Sequence, residues 1–195
     1  PREPLADALI RVAELRGLPC VANEVDSTQP WAIIDCADIE RLNFADRRTQ
    51  RQLLVRPGQL LAPLSENDST RNALRRIARG QEVLAANDRR IAVSFLPDFI
   101  NAALDLFIDG EAGEWTLVNS GVITEEELLR KLAQILGLEP RLVRGVPAWT
   151  LGQSTDESLG HDSPNLLPSL MDALHRYCQD LPPLIEELEP AVGSR

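Results

Sequence analysis

The sequence predicts an α/β fold, with a mostly parallel sheet interleaved with helices over the first two-thirds and a smaller part richer in helix and loop after it. Three observations carry that expectation. Short apolar runs bounded by turn residues, such as "WAIIDC" and "LLVRPG", alternate with segments whose apolar residues recur at helical spacing. The stretch "TEEELLRKLAQILG" holds both start and stop signals of a helix. Beyond Pro147, "TLGQSTDESLGHDSPN" loses periodicity and is dense in turn formers.

Taken in order, Leu5, Ala8, Leu9, Val12 and Leu15 lie on one helical face, and Gly17 ends that helix. "LPCVAN", "WAIIDC" and "LLVRPG" read as strands buried on both faces, the last one broken by Pro57 and Gly58. Ser69 to Arg79 reads as a basic amphipathic helix stopped by Gly80. "RIAVSF" then leads to a helix opened by Pro97, with Asp98 in its first turn where the helix dipole favours a carboxylate. Phe99, Ala102, Ala103, Leu106 and Phe107 form its core face, and "WTLV" follows as a strand. Thr124 and Glu127 make a capping box for the next helix, whose stripe is Leu128, Leu129, Leu132, Ile135 and Leu136 and whose end is Gly137. A last helix runs from about Pro168 to Gln179.

With 195 residues the chain is long enough for a substantial core. Its formal charge of −10 argues against general nucleic-acid binding, which needs a basic surface. The arginines at 47, 48, 51, 71, 75, 76 and 79 stand among acids on helix-like segments, as on a solvated face. No apolar run reaches membrane-spanning length and no leader pattern is evident, so the expectation is a cytoplasmic protein without a membrane partner. Cys20, Cys36 and Cys178 are odd in number and far apart, which fits buried thiols rather than disulfides or a metal site. The acidic stretch from Pro182 to Pro190 reads as a loosely packed end or a docking segment.

The long run "FLPDFINAALDLFIDGEAGEWTLVNSGVITEEELLRKLAQILGLE" resembles the carboxyl-terminal half of dTDP-4-dehydrorhamnose reductases and related sugar-nucleotide-binding proteins of the extended short-chain dehydrogenase/reductase family. "LADALIRVAELRGLP", "PWAIIDCADIERLNFAD", "LLVRPGQLLAP" and "LLPSLMDALHRY" fall in the family's order. The resemblance implies a shortened Rossmann-like sheet over residues 1–92, a substrate-domain-like part over 93–181 and an acidic Pro-rich tail over 182–195.

The same resemblance exposes departures. The family holds its dinucleotide at a Gly-rich turn before the first helix, and no such turn occurs in this sequence. Glu3 would place a carboxylate where the phosphates should sit. The family's chemistry needs a Tyr with a Lys four residues on. Here the one tyrosine, Tyr177, is followed at that spacing by Leu181 and reads as a half-buried packing residue, while the one lysine, Lys131, falls on a helix's solvent side. Asp35 and Asp38 stand where the family tends to have Asn and Gly beside the cofactor, and Val93 and Ser94 where it has Pro-Thr. "STDESLG" replaces an Arg-Pro before Ser-x-Leu, which removes a cation suited to a diphosphate. These changes within retained segments favour a non-catalytic relative with no bound cofactor, acting through a protein partner or self-association. The alternative is an NAD(P)H-dependent sugar-nucleotide reductase whose Gly-rich and Tyr-Lys segments lie outside this sequence.

Two residues stand out as substrate-binding candidates. Arg56 follows a strand and could meet a sugar-nucleotide phosphate, or form an ion pair with Asp35 or Asp38. Asn119 ends a strand where the family keeps a polar residue toward the substrate; as a plain turn residue it would bond its own backbone. Ser120 and Gly121 read as turn formers, and Asp98 as a helix-start residue. His161 beside Asp162 and His175 near Asp172 lack a nucleophile with which to form a dyad. No residue is assigned as catalytic, cofactor-binding or metal-ligating. Trp31, Trp115 and Trp149 read as core or interface anchors.

Overall fold

The computed structural model describes residues 4–17, 32–35, 42–46, 50–155 and 166–184. The expected strand at "LPCVAN", together with Cys20, Trp31, Cys36, Asp38, His161 and the acidic tail beyond Leu184, lies outside the described residues.

The described elements begin with α1 (Pro4–Leu15), β1 (Ala32–Asp35), β2 (Leu42–Asp46), β3 (Arg51–Pro57) and β4 (Gln59–Leu61). Next come α2 (Ser69–Ala78), β5 (Val83–Ala86), β6 (Arg90–Phe95), α3 (Leu96–Ile108), β7 (Gly113–Leu117), β8 (Asn119–Ser120) and β9 (Val122–Thr124). The last are α4 (Glu125–Ile135), β10 (Val143–Val146), β11 (Leu167–Ser169) and α5 (Leu170–Asp180), with single 3-10 turns at Pro140–Leu142 and Ala148–Leu151. The arrangement is mixed α/β. One four-stranded sheet has the order β1-β2-β3-β7, and smaller sheets join β4-β6-β9, β10-β5 and β11-β8.

The large sheet departs from the expected one in strand direction and in burial. β1 pairs antiparallel with β2, β2 antiparallel with β3, and only β3 with β7 runs parallel, Val55 standing opposite Trp115. Along β3 Leu53, Val55 and Pro57 are buried whereas Arg51, Gln52 and Arg56 are exposed. That alternation is the mark of a sheet covered on one face, because side chains of a strand point alternately to its two sides. α1 and α3 provide the cover. Leu9, Ala13, Phe99, Ile100 and Ala103 meet Leu42, Phe44, Leu53 and Val55 in one apolar cluster. Outside it, Arg16 pairs with Asp105 and donates to the side-chain oxygen of Asn101 at 2.7 Å, tying the end of α1 to α3.

A second cluster surrounds α4 and draws in Leu74 and Ile77 of α2, Val83, Val93, Phe95 and Val143 of the strands, and Leu170, Leu174 and Tyr177 of α5. α4 forms where the sequence predicts it. Thr124 Oγ1 accepts from the backbone N–H of Glu127 at 3.2 Å, and the Glu127 carboxylate accepts from the N–H of Thr124 at 3.0 Å. Glu125, Glu126 and Glu127 then occupy its first turn, where the dipole favours negative charge. α2 is capped differently: Asp68 accepts from the N–H groups of Thr70 and Arg71. Among the described residues no helix is long and apolar enough to cross a membrane.

Candidate functional site

Several strands end beside one another at the start of α3. In open α/β sheets, ligands bind outside such carboxyl ends. The polar groups gathered there are Ser94 and Phe95 at the end of β6, Asp98 in the first turn of α3, Asn119 at the start of β8, and Arg176 arriving from α5.

Asn119 is the centre of the group and has no solvent exposure, 0%. Its Oδ1 accepts from the backbone N–H of Phe95 at 2.8 Å. Its Nδ2 donates to Asp98 Oδ2 at 2.9 Å and to the carbonyl of Pro168 in β11 at 3.1 Å. The amide therefore bonds two other segments, the β6–α3 junction and β11, rather than its own turn. Arg176 completes the knot with a two-pronged pair to Asp98, 2.6 and 2.7 Å long, and a further bond to Asp172 one turn back on α5. Its guanidinium carbon lies 5.0 Å from the centroid of the Phe95 ring, close enough for a cation–π contribution. The hydrogen bond to Asp98 holds Arg176 more firmly protonated than a free arginine.

Ser94, fully buried, accepts from the Gly58 N–H at 2.8 Å and donates to the Leu117 carbonyl at 2.7 Å. Gly58 is required at that corner, since a Cβ would run into the carbonyl of Ala92. A second polar group lies behind α5. The Tyr177 hydroxyl, fully buried, donates to Asp68 Oδ2 at 3.1 Å, and the same oxygen accepts from the Ala62 N–H at 2.9 Å. Burial raises the Asp68 carboxyl, against the hydrogen bonds that favour its ionised form, and burial followed by the nearby Asp68 charge pushes the Tyr177 phenol far upward.

Tyr177 is thus wholly buried rather than half-buried, with a hydroxyl committed to a carboxylate. Nothing in its helical spacing signalled Asp68 as its partner, because the two are distant in sequence. Arg176 was also missed. It lies beside the tyrosine on a helix whose charge pattern resembles a solvated face. Asp98 does sit in the first turn of α3, with its carboxylate turned to Asn119 and Arg176.

Arg56 stands apart from this knot. Its Nε lies 3.0 Å from Glu114 on β7, and both side chains are exposed. The partner is a neighbouring-strand glutamate that parallel pairing of β3 with β7 brings alongside. Ser120 belongs to β8, which pairs with β11, while Gly121 turns the chain at φ 128° with its Cα facing Leu170. His175 is exposed on α5, Lys131 exposed on α4, and Trp149 is 75% exposed rather than a core anchor. Trp115 is half-buried, its indole N–H donating to the Ala112 carbonyl at 3.1 Å. Burial pushes the half-buried Cys178 thiol up to about 11. Among the described residues no group of three His, Cys, Asp or Glu side chains is placed to hold a metal ion.

No model of a protein family matches the sequence, and comparison with curated proteins gives no match. Solved structures do match. The dTDP-4-dehydrorhamnose reductase of Bacillus anthracis, in complex with NADP, superposes with a TM-score of 0.56 at 16% identity over 64% of this chain and 47% of its own. The corresponding reductase from Yersinia enterocolitica gives 0.53 at 17% identity over 66% and 49%, and that of Clostridium acetobutylicum 0.55 at 11% over 65% and 48%. A dTDP-glucose 4,6-dehydratase of Bacillus anthracis, in complex with NAD, reaches 0.53 at 13% identity. The matched part spans about half the length of these structures. At such identities the likeness concerns the path of the backbone, and over the shared stretch this chain has the Rossmann-like α/β fold of the sugar-nucleotide reductases and dehydratases.

Proposed function

We propose that the protein is a non-catalytic relative of the dTDP-4-dehydrorhamnose reductases that acts by binding a protein partner or a second copy of itself, with at most residual sugar-nucleotide binding. One observation supports this above the others: the polar side chains near the strand ends are spent on one another. The Asn119 amide, the Asp98–Arg176 pair and the Ser94 hydroxyl each complete bonds inside the protein. The tyrosine hydroxyl is likewise buried against Asp68. A general acid must reach its substrate by a direct or water-bridged hydrogen bond, which a buried and committed phenol does not offer.

Residual sugar-nucleotide binding falls to Arg56, whose exposed guanidinium has, among the described residues, a surface carboxylate to leave. Asn119 contributes indirectly, by fixing the backbones of β6 and β8. The test is isothermal titration of mass-verified protein with NADPH, NADH and a dTDP-sugar, beside sedimentation at several concentrations. The expected result is no dinucleotide heat, weak or absent sugar-nucleotide heat, and a concentration-dependent larger species or one that forms with a partner. Tight dinucleotide binding with turnover of a 4-keto sugar nucleotide would overturn the proposal in favour of an NAD(P)H-dependent reductase.

A further inference from the structure

The two apolar clusters are separate, and the chain crosses repeatedly between them. Val55 belongs to the first and Leu61 to the second; Ala62 returns to the first; Phe95 and Leu96 stand on opposite sides, as do Leu117 and Ile123, and Leu167 and Leu170. At each of these crossings a backbone group is bonded to a buried polar side chain. Ser94 takes the Gly58 N–H and the Leu117 carbonyl, Asp68 takes the Ala62 N–H, and Asn119 takes the Phe95 N–H and the Pro168 carbonyl. α5 meets the same seam at two adjacent residues: Tyr177, of the second cluster, bonds Asp68, which itself takes the Ala62 N–H of the first, and Arg176 reaches Asp98 on α3.

Apolar contact is non-directional and survives small sliding, whereas a hydrogen bond weakens steeply once its angle and length are lost. A boundary with a directional bond at each of these chain crossings therefore yields together along its length, while each apolar cluster stays whole. The geometry points to a shear seam: the two clusters are distinct cooperative units, and the Arg176–Asp98 pair is the latch that sets how often the seam opens. Arg176 suits that place because its side chain is 33% exposed while that of Asp98 is 9% exposed, so this is the pair that water reaches first. Opening would present Asp98, Asn119 and Ser94 to solvent, which are donors and acceptors suited to hydroxyl groups.

Native-state hydrogen exchange of the 195-residue protein in increasing denaturant tests this directly. Amides of α3 and the β3–β7 pairing should converge on one opening free energy, and those of α4 and β6 on another. A single shared value would overturn the inference, and this measurement stands even if a variant fails to fold. Arg176→Ala should raise exchange about tenfold in Leu170–Asp180 and in the first turn of α3, leaving the interiors of α4 and β3 within about twofold. Arg176→Lys, which keeps the charge without the fork, should recover part of the protection. Equal acceleration everywhere, or none at the start of α3, would also overturn it.

Discussion

Asn119 and Arg56 are both polar residues at the ends of core strands, yet they hold opposite positions in the structure. Asn119 is sealed from water and bonds both the β6–α3 junction and β11, whereas Arg56 lies on the open face of the sheet against the exposed Glu114. The difference teaches that a polar residue at a strand end has no fixed role. What decides is whether other chain segments arrive to use its hydrogen bonds. The β6–α3 junction and β11 arrive at Asn119; among the described residues, Arg56 meets only Glu114.

Asn119→Ala breaks the comparison most severely. It takes the side-chain partner from the buried Phe95 N–H and from the Pro168 carbonyl, while Asp98 keeps Arg176, so the expected loss is about 3 kcal/mol by denaturant unfolding. Tyr177→Phe is milder, about 1 to 2 kcal/mol, since shape is kept and one hydrogen bond is removed.

The Tyr177→Phe variant also carries a pH signature. The Asp68 carboxyl, whose ordinary value is 3.8, is raised in the folded protein chiefly by burial. The folded state thus holds this proton more tightly than the unfolded chain does. The group's stabilising contribution is complete below the ordinary value and is lost as pH rises through the raised one. Without the tyrosine hydroxyl, which favours the ionised form, the raised value climbs further and that loss grows. Denaturant midpoints at about pH 4 and about pH 7 should therefore separate more in Tyr177→Phe than in the parent, and Asp68→Asn should remove this component.

Thr124→Ala tests a region whose sequence and structure agree. It deletes the cap of α4 and should cost about 1 kcal/mol. Arg56→Ala sharpens the contrast from the other end, with an expected loss below about 1 kcal/mol because both members of its ion pair are exposed. A larger loss would show that Arg56 belongs to a tighter arrangement than its pair with Glu114.

Local chemistry explains which parts were legible. The helices at α2, α3, α4 and α5 declare themselves because capping, periodicity and stop residues act within a few positions of one another. β2 escaped notice although Leu42 and Phe44 alternate in the manner of a half-buried strand; the pattern is two apolar residues long and charged residues flank it. β4, β5, β8, β9, β10 and β11 are each no more than four residues long, too short for periodicity to speak, and their pairings join distant segments, as Leu167 does with Asn119. The antiparallel course of β1 and β2 was hidden for the same reason. An apolar run records burial but not the direction of its neighbour. At the site, the sequence singled out Asn119 and Asp98 and placed Asp98 at a helix start, but the bonds that define them come from Arg176 and Pro168, far along the chain.

The position of Tyr177 bears on the order in which the protein is completed. Leu74, Leu128 and Leu132 precede α5 in the chain, yet the cluster they belong to is closed by Leu174 and Tyr177. Until then Asp68 faces water with its helix-capping bonds already available, and the carboxylate is solvated at little cost. The penalty of burying it arrives in the same step as the hydroxyl that helps offset it. A chain cut before Leu170 should therefore hold the α4 helix while leaving its apolar stripe open to protease and chaperone, and α5 should be the helix that closes this cluster.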